Sequence, residues 1–115
     1  MDIEKIKEKL AIEISKSDKW LDKLNDTNPG HYGVEDWDVK ISVDNIWVDI
    51  PNRTFNFNKV TFDFELQIGG SSKESGFKSS FSKVAKGQGA FKFNNSIDIS
   101  INEIEIEFDM DLFPA

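Results

Sequence analysis

Three stretches of this chain alternate apolar and polar residues, and each changes phase once. In WDVKISVDNIWVDI, the apolar residues Trp37, Val39, Ile41 and Val43 hand over to Ile46, Val48 and Ile50 across Asp44-Asn45. In TFNFNKVTFDFELQI, Phe55 and Phe57 hand over to Val60, Phe62, Phe64, Leu66 and Ile68 across Asn58-Lys59. Further on, Ile97, Ile99 and Ile101 hand over to Ile104, Ile106, Phe108, Met110 and Leu112 across Asn102-Glu103. A period of two puts alternate side chains on opposite faces of a sheet, so these are strands with one apolar and one wet side.

A phase change across two polar residues is either a tight hairpin turn or a bulge that inserts a residue and bends one continuous strand. None of the three doublets contains Gly, which a type I′ turn favours at its second position. Pairing favours the bulge. With a turn at residues 51–54, Ile50 faces Phe55, Val48 faces Phe57, Ile46 faces Val60, Val43 faces Phe62, Ile41 faces Phe64, Val39 faces Leu66 and Trp37 faces Ile68. The extra residue at 44 and 45 then offsets the one at 58 and 59, and both strands bend along a common line.

Residues 2–25 read as one amphipathic helix, with Ile3, Ile6, Leu10, Ile14, Leu21 and Leu24 on one stripe. Ile12 falls on the opposite side of that helix and Trp20 on a flank. Residues 26–36, rich in Asn, Pro and Gly, form a loop, and residues 37–112 form the sheet. Residues 77–86 fit either a strand or a short helix, and strand is preferred because Phe77, Ser79 and Phe81 alternate. Gly87 and Gly89 then lie near the line of bulges, before a turn at Asn94-Asn95. The expected fold is α+β in a single domain spanning 1–115: a long N-terminal helix on the concave face of a strongly bent, four-stranded antiparallel meander. In shape alone this resembles cystatin-like and other helix-on-curved-sheet architectures. No residue motif of those families is present, so the resemblance implies nothing about function.

The 115-residue chain has an apolar fraction of 38% with ten Phe and three Trp, enough for a core. It has no Cys, which removes disulfides, thiolate metal sites and Cys nucleophiles together. A net charge of −7 argues against direct nucleic-acid binding and allows a basic partner. No segment has the length of a membrane helix or a signal peptide, so a cytoplasmic location is expected.

Recognisable reaction chemistry is missing: the sequence has no Walker loop, GxSxG, HExxH or dinucleotide fingerprint. His31, the only His, lies in the 26–36 loop without a second His or any Cys, and only its convergence with Tyr32 and Asp36 in one cleft would suggest a catalyst. No metal, cofactor or catalytic residues are expected. Glu105, Glu107, Asp109 and Asp111 form a row of carboxylates on the wet side of the last strand. Trp47, between inward Ile46 and Val48, points outward, with Phe113 a candidate cover. The expectation is a non-enzymatic protein-protein interaction module, an inhibitor, immunity-type or accessory protein. It would dock a basic protein surface through Trp47 and the acidic row, with Trp20 and Ile12 as further contacts. The alternative is a small apolar-ligand binder with a Phe-lined pocket between helix and sheet.

Overall fold

The computed structural model describes residues 2–27, 33–69 and 76–108. Its first element is a long bent helix in two segments, α1 (Ile3–Ser15) and α2 (Lys19–Thr27). Asp2 caps α1, its side chain accepting a hydrogen bond from Lys5 N at 2.8 Å. The expected single helix over 2–25 is therefore corrected by a break at residues 16–18. Ser17 supplies the reason: its Oγ accepts from Lys19 N at 3.2 Å, and such short polar side chains offer the backbone an alternative to the helical ladder.

Rephasing across the break turns Trp20 inward, where it is 0% exposed. Its indole Nε1–H donates to Ile14 O at 2.8 Å, a carbonyl at the end of α1 that also accepts from Ser17 N at 3.2 Å. This corrects the reading of Trp20 as a surface contact. Burial of a Trp demands a partner for its N–H, and the interrupted helix provides one.

The sheet contains β1 (Gly33–Lys40), β2 (Ile46–Asp49), β3 (Thr54–Gly69), β4 (Gly76–Phe93) and β5 (Ile99–Phe108). Its order is β1-β3-β4-β5, with β2 also pairing β3. Both β1 and β2 run antiparallel to β3, so the chain keeps its direction through residues 41–45, as the bent-strand reading requires. Residues 77–86 belong to β4, again as expected. The strand region begins earlier than expected, at Gly33 instead of residue 37.

The polar doublets are of two kinds. At Asn58-Lys59 the β3–β4 register shifts in a bulge, with Lys59 at φ 53°, and the β4–β5 register shifts between Ala90 and Phe91 opposite Asn102. Around Asp44-Asn45 the irregularity is larger: Val43–Asn45 is a 3₁₀ turn capped by Ser42, whose Oγ accepts from Asp44 N at 3.2 Å. Residues 41–45 therefore stand against residues 58–60, between the pairs Lys40↔Thr61 and Ile46↔Phe57.

The observed pairing differs from the expected one by two residues at Val48, by three at Ile46, where it crosses the Asn58-Lys59 phase change, and by four at Val39 and Trp37. Val48 faces Phe55 and Ile46 faces Phe57, while Val39 faces Phe62 and Trp37 faces Phe64. An even slip, or an odd one across a phase change, keeps these side chains on their original face. The β2–β3 turn at residues 50–53 closes with Arg53 at φ 57° and Arg53 N donating to Ile50 O at 3.1 Å.

The inner faces of the curled sheet and the bent helix converge on one apolar cluster. Ile6, Leu10, Ile14, Trp20 and Leu24 meet Phe55, Phe57, Phe62 and Phe91, all at most 3% exposed. Each such side chain contributes roughly 1.5–3 kcal/mol of burial free energy. The Phe62 ring lies 5.1 Å from Trp20 and 5.2 Å from Phe108, so the rings tie α2 to β3 and β5. Gly87 faces Phe57 and Gly89 faces Phe55 across the β3–β4 pair. A methyl group on Gly87 would stand 2.5 Å from Phe57 Cζ, so these glycines make room for rings. Among the described residues, Ile97 in the β4–β5 turn, 72% exposed, and Ile3, exposed at the start of α1, depart from the expected core, and Leu21 and Val43 are only half-buried.

Candidate functional site

With the helix in the concavity, the outer face of the sheet carries the side chains left over from the core. Registers across β2, β3, β4 and β5 place Trp47, Asn56, Gln88 and Glu105 in one transverse row. At about 4.8 Å between strands, the row spans roughly 14 Å. The next row is Asp49, Thr54, Ala90 and Glu103. Trp47 is 46% exposed at one end of its row. Two open grooves flank the row, of about 460 Å³ beside Trp47 and about 350 Å³ beside Glu105 and Glu107, and both are lined by Asn56 and Gln88.

The acidic end of this surface is only partly neutralised. Glu107 faces Lys86 across the β4–β5 pair, with their charged atoms 3.8 Å apart and both side chains well exposed. Such an exposed pair contributes at most about 1 kcal/mol. Glu103 and Glu105 face Ala90 and Gln88, and form no ion pair among the described residues. Asp109 and Asp111, the remainder of the expected row, and Phe113, the expected cover for Trp47, lie outside the described residues. Ile12 is 47% exposed on α1, and Trp20, as above, is inside.

A second acidic patch was missed in the sequence reading. On the outer face Asp36 lies opposite Glu65 and Asp38 opposite Asp63, so β1 and β3 set carboxylate against carboxylate. The signal was present in WDVK and FDFE, whose outward positions are acidic in both strands once their register is known. Local donors relieve the repulsion: Ser82 Oγ donates to Asp63 Oδ1 at 2.6 Å, Ser80 Oγ donates to Glu65 Oε1 at 3.3 Å, and Lys40 Nζ lies 3.2 Å from Asp63. The Ser82 hydrogen bond, followed by Lys40, holds the Asp63 carboxyl below its ordinary pKa.

Among the described residues no group of three or more His, Asp or Glu is arranged to hold a metal ion, and no helix is long and apolar enough to cross a membrane. His31 and Tyr32 lie outside the described residues, and so does their relation to Asp36. Side chains of α1 and α2 pack on the Phe-rich face in one apolar cluster, and the groove beside it, between α2 and β5, is lined mainly by charged residues. The bulge holds a further polar feature: Asn58 Oδ1 is buried without a hydrogen-bond partner among the described residues. Comparison of the chain with known protein families, characterised proteins and solved structures finds no match.

Proposed function

We propose that this chain is a non-enzymatic interaction module, of the inhibitor, immunity-type or accessory kind, that docks a basic protein surface through the outer face of its sheet. The cytoplasm is the proposed setting. The observation that carries the reading is the single row joining half-exposed Trp47 to Glu105 through two amide side chains. A Trp presented among hydrogen-bonding groups, with unneutralised carboxylates at the rim, has the composition of an interface hot spot with an electrostatic steering margin. Burying Trp47 would remove a large apolar surface from water, while Glu103 and Glu105 would speed and orient the encounter.

The test uses three versions of the chain in parallel: wild type, Trp47→Ala and Glu105→Lys/Glu107→Lys. Partners captured from the native source by the wild type are purified, and their affinities are measured at several salt concentrations. Trp47→Ala is expected to weaken binding by at least about tenfold through faster dissociation. The double charge reversal is expected to slow association and flatten its salt dependence. A partner held equally by all three chains would show that docking uses another surface.

A further inference from the structure

β5 closes one side of the sheet: it pairs with β4, and among the described residues no strand pairs with its other edge. The opposite side of the sheet differs. There the 3₁₀ turn separates β1 from β2, and β1 has its own register shift between Val34 and Asp36. Interruptions of that kind discourage strand addition, whereas residues 103–108 of β5 run without a shift.

A groove of about 570 Å³ lies along this free edge, between it and α2. Its sheet wall is formed by Ile104, Glu105, Ile106 and Glu107, and its helix wall includes Lys19, Asp22 and Lys23. Consecutive strand residues point to opposite faces, so a groove that touches four in succession faces the edge itself, where backbone N–H and C=O groups point.

We propose that this slot takes an extended segment of a partner protein as an added strand, with Lys or Arg at alternate positions and apolar residues between them. The inference rests on the docking reading above and adds how the partner is held. Backbone hydrogen bonds to β5 would supply affinity, and alternate side chains the specificity. Those on the outer face would lie beside Glu103, Glu105 and Glu107, where a cation is favoured and an anion repelled. Those on the inner face would extend the row of Ile104, Ile106 and Phe108 beneath α2. A second copy of β5 fits poorly, because it would set glutamates against glutamates.

The probe is a fluorescent peptide of about eight residues alternating Lys and Val, read by anisotropy against the whole chain. Its companions are the Glu/Val counterpart and two versions N-methylated on alternate residues, one in each phase. The Lys/Val peptide is expected to bind and the Glu/Val peptide not to. N-methylation in one phase should weaken binding by about tenfold or more, because it removes backbone donors from the ladder, and methylation in the other phase should change it little. Alternate amides within residues 104–107 should gain protection from hydrogen exchange on binding.

Equal binding of both methylated peptides, unchanged exchange at residues 104–107, or no binding at millimolar peptide overturns the proposal. So does concentration-dependent self-association that protects the same amides, which would give the edge to a second copy. The two readings separate cleanly. Binding that is lost with Trp47→Ala but ignores methylation phase leaves outer-face docking standing and removes strand addition. Phase-dependent binding that survives Trp47→Ala does the reverse.

Discussion

Lys59 and Arg53 are the non-glycine residues with positive φ among the described positions, at 53° and 57°, and they occupy that region for different reasons. Lys59 sits in the β3 bulge, where a left-handed residue lets the strand bend, and its side chain is exposed to solvent. Arg53 closes the β2–β3 turn, and its guanidinium donates to Ile50 O and lies 4.7 Å from the centre of the Phe93 ring. Lys59→Gly is therefore expected to stabilise the chain by about 1 kcal/mol, the cost of a left-handed L-residue. Arg53→Gly gives up a cation–π contact of comparable size and should gain less. Chemical denaturation midpoints check the order, and equal gains would mean that the Arg53 contacts contribute nothing. Asp63 offers a test by pH. Its folded pKa is depressed, so its contribution to stability is present above the ordinary aspartate value and is lost as pH falls through the lower folded value. Since the Ser82 hydrogen bond is the leading cause, Ser82→Ala should raise the carboxyl's NMR titration midpoint more than Lys40→Met does. The opposite order would assign the shift to the ion pair.

At the scale of elements, much of the sheet was legible because alternation survives local irregularity. The direction of the chain through Asp44-Asn45 and Asn58-Lys59 followed from the one-for-one pairing of inward residues and the lack of Gly in the doublets, and the strand character of residues 77–86 from alternation. What escaped was local capping chemistry. Ser42 turns one doublet into a 3₁₀ turn, and Ser17 ends a helix whose apolar stripe reads through it. Both are single hydroxyls that leave the hydrophobic pattern nearly intact, so a reading based on period passes over them. The phase change at Glu35-Asp36, between inward Val34 and Trp37, repeats the grammar of the other doublets inside what read as a loop. The carboxylate row was legible in part, since Glu105 and Glu107 do point outward, while Trp20 was misread because its direction depends on the helix break. The glycines of β4 lie beside the bulges as expected, and they also receive aromatic rings from β3. Gly87→Ala would press a methyl group against Phe57 and the Glu105 carbonyl, and Gly89→Ala would press one against Phe55 at 2.7 Å. Each is expected to destabilise by about 1–3 kcal/mol, the usual cost of overpacking. Denaturant titration reads it, and a neutral Gly87→Ala would mean that Phe57 can move aside freely.

The whole molecule is extended for its length, with a radius of gyration of 16.4 Å where a globular chain of this size has about 13 Å. Its axes measure 53 × 27 × 20 Å, in keeping with the long β3–β4 hairpin. An elongated body exposes more surface per unit of core, and here the outer sheet face carries acidic groups at two places, the β1–β3 patch and the β5 row. Spreading a net charge of −7 in this way stores self-repulsion in the folded state. Where Asp38 opposes Asp63 across the strands, the repulsion has a local address. Asp38→Lys converts that like-charge pair into an opposite one and should raise stability by about 0.5 kcal/mol at low ionic strength. The gain should shrink as salt screens the exposed charges. If the proposed basic partner is steered by the β5 row alone, the same substitution leaves its dissociation rate unchanged and lowers its association rate only slightly; if the β1–β3 patch also touches it, dissociation accelerates. Stopped-flow binding alongside thermal unfolding, each at two salt concentrations, separates these outcomes. A loss of stability on Asp38→Lys would show that Ser82 and Lys40 already compensate the carboxylates and that the patch carries no stored repulsion.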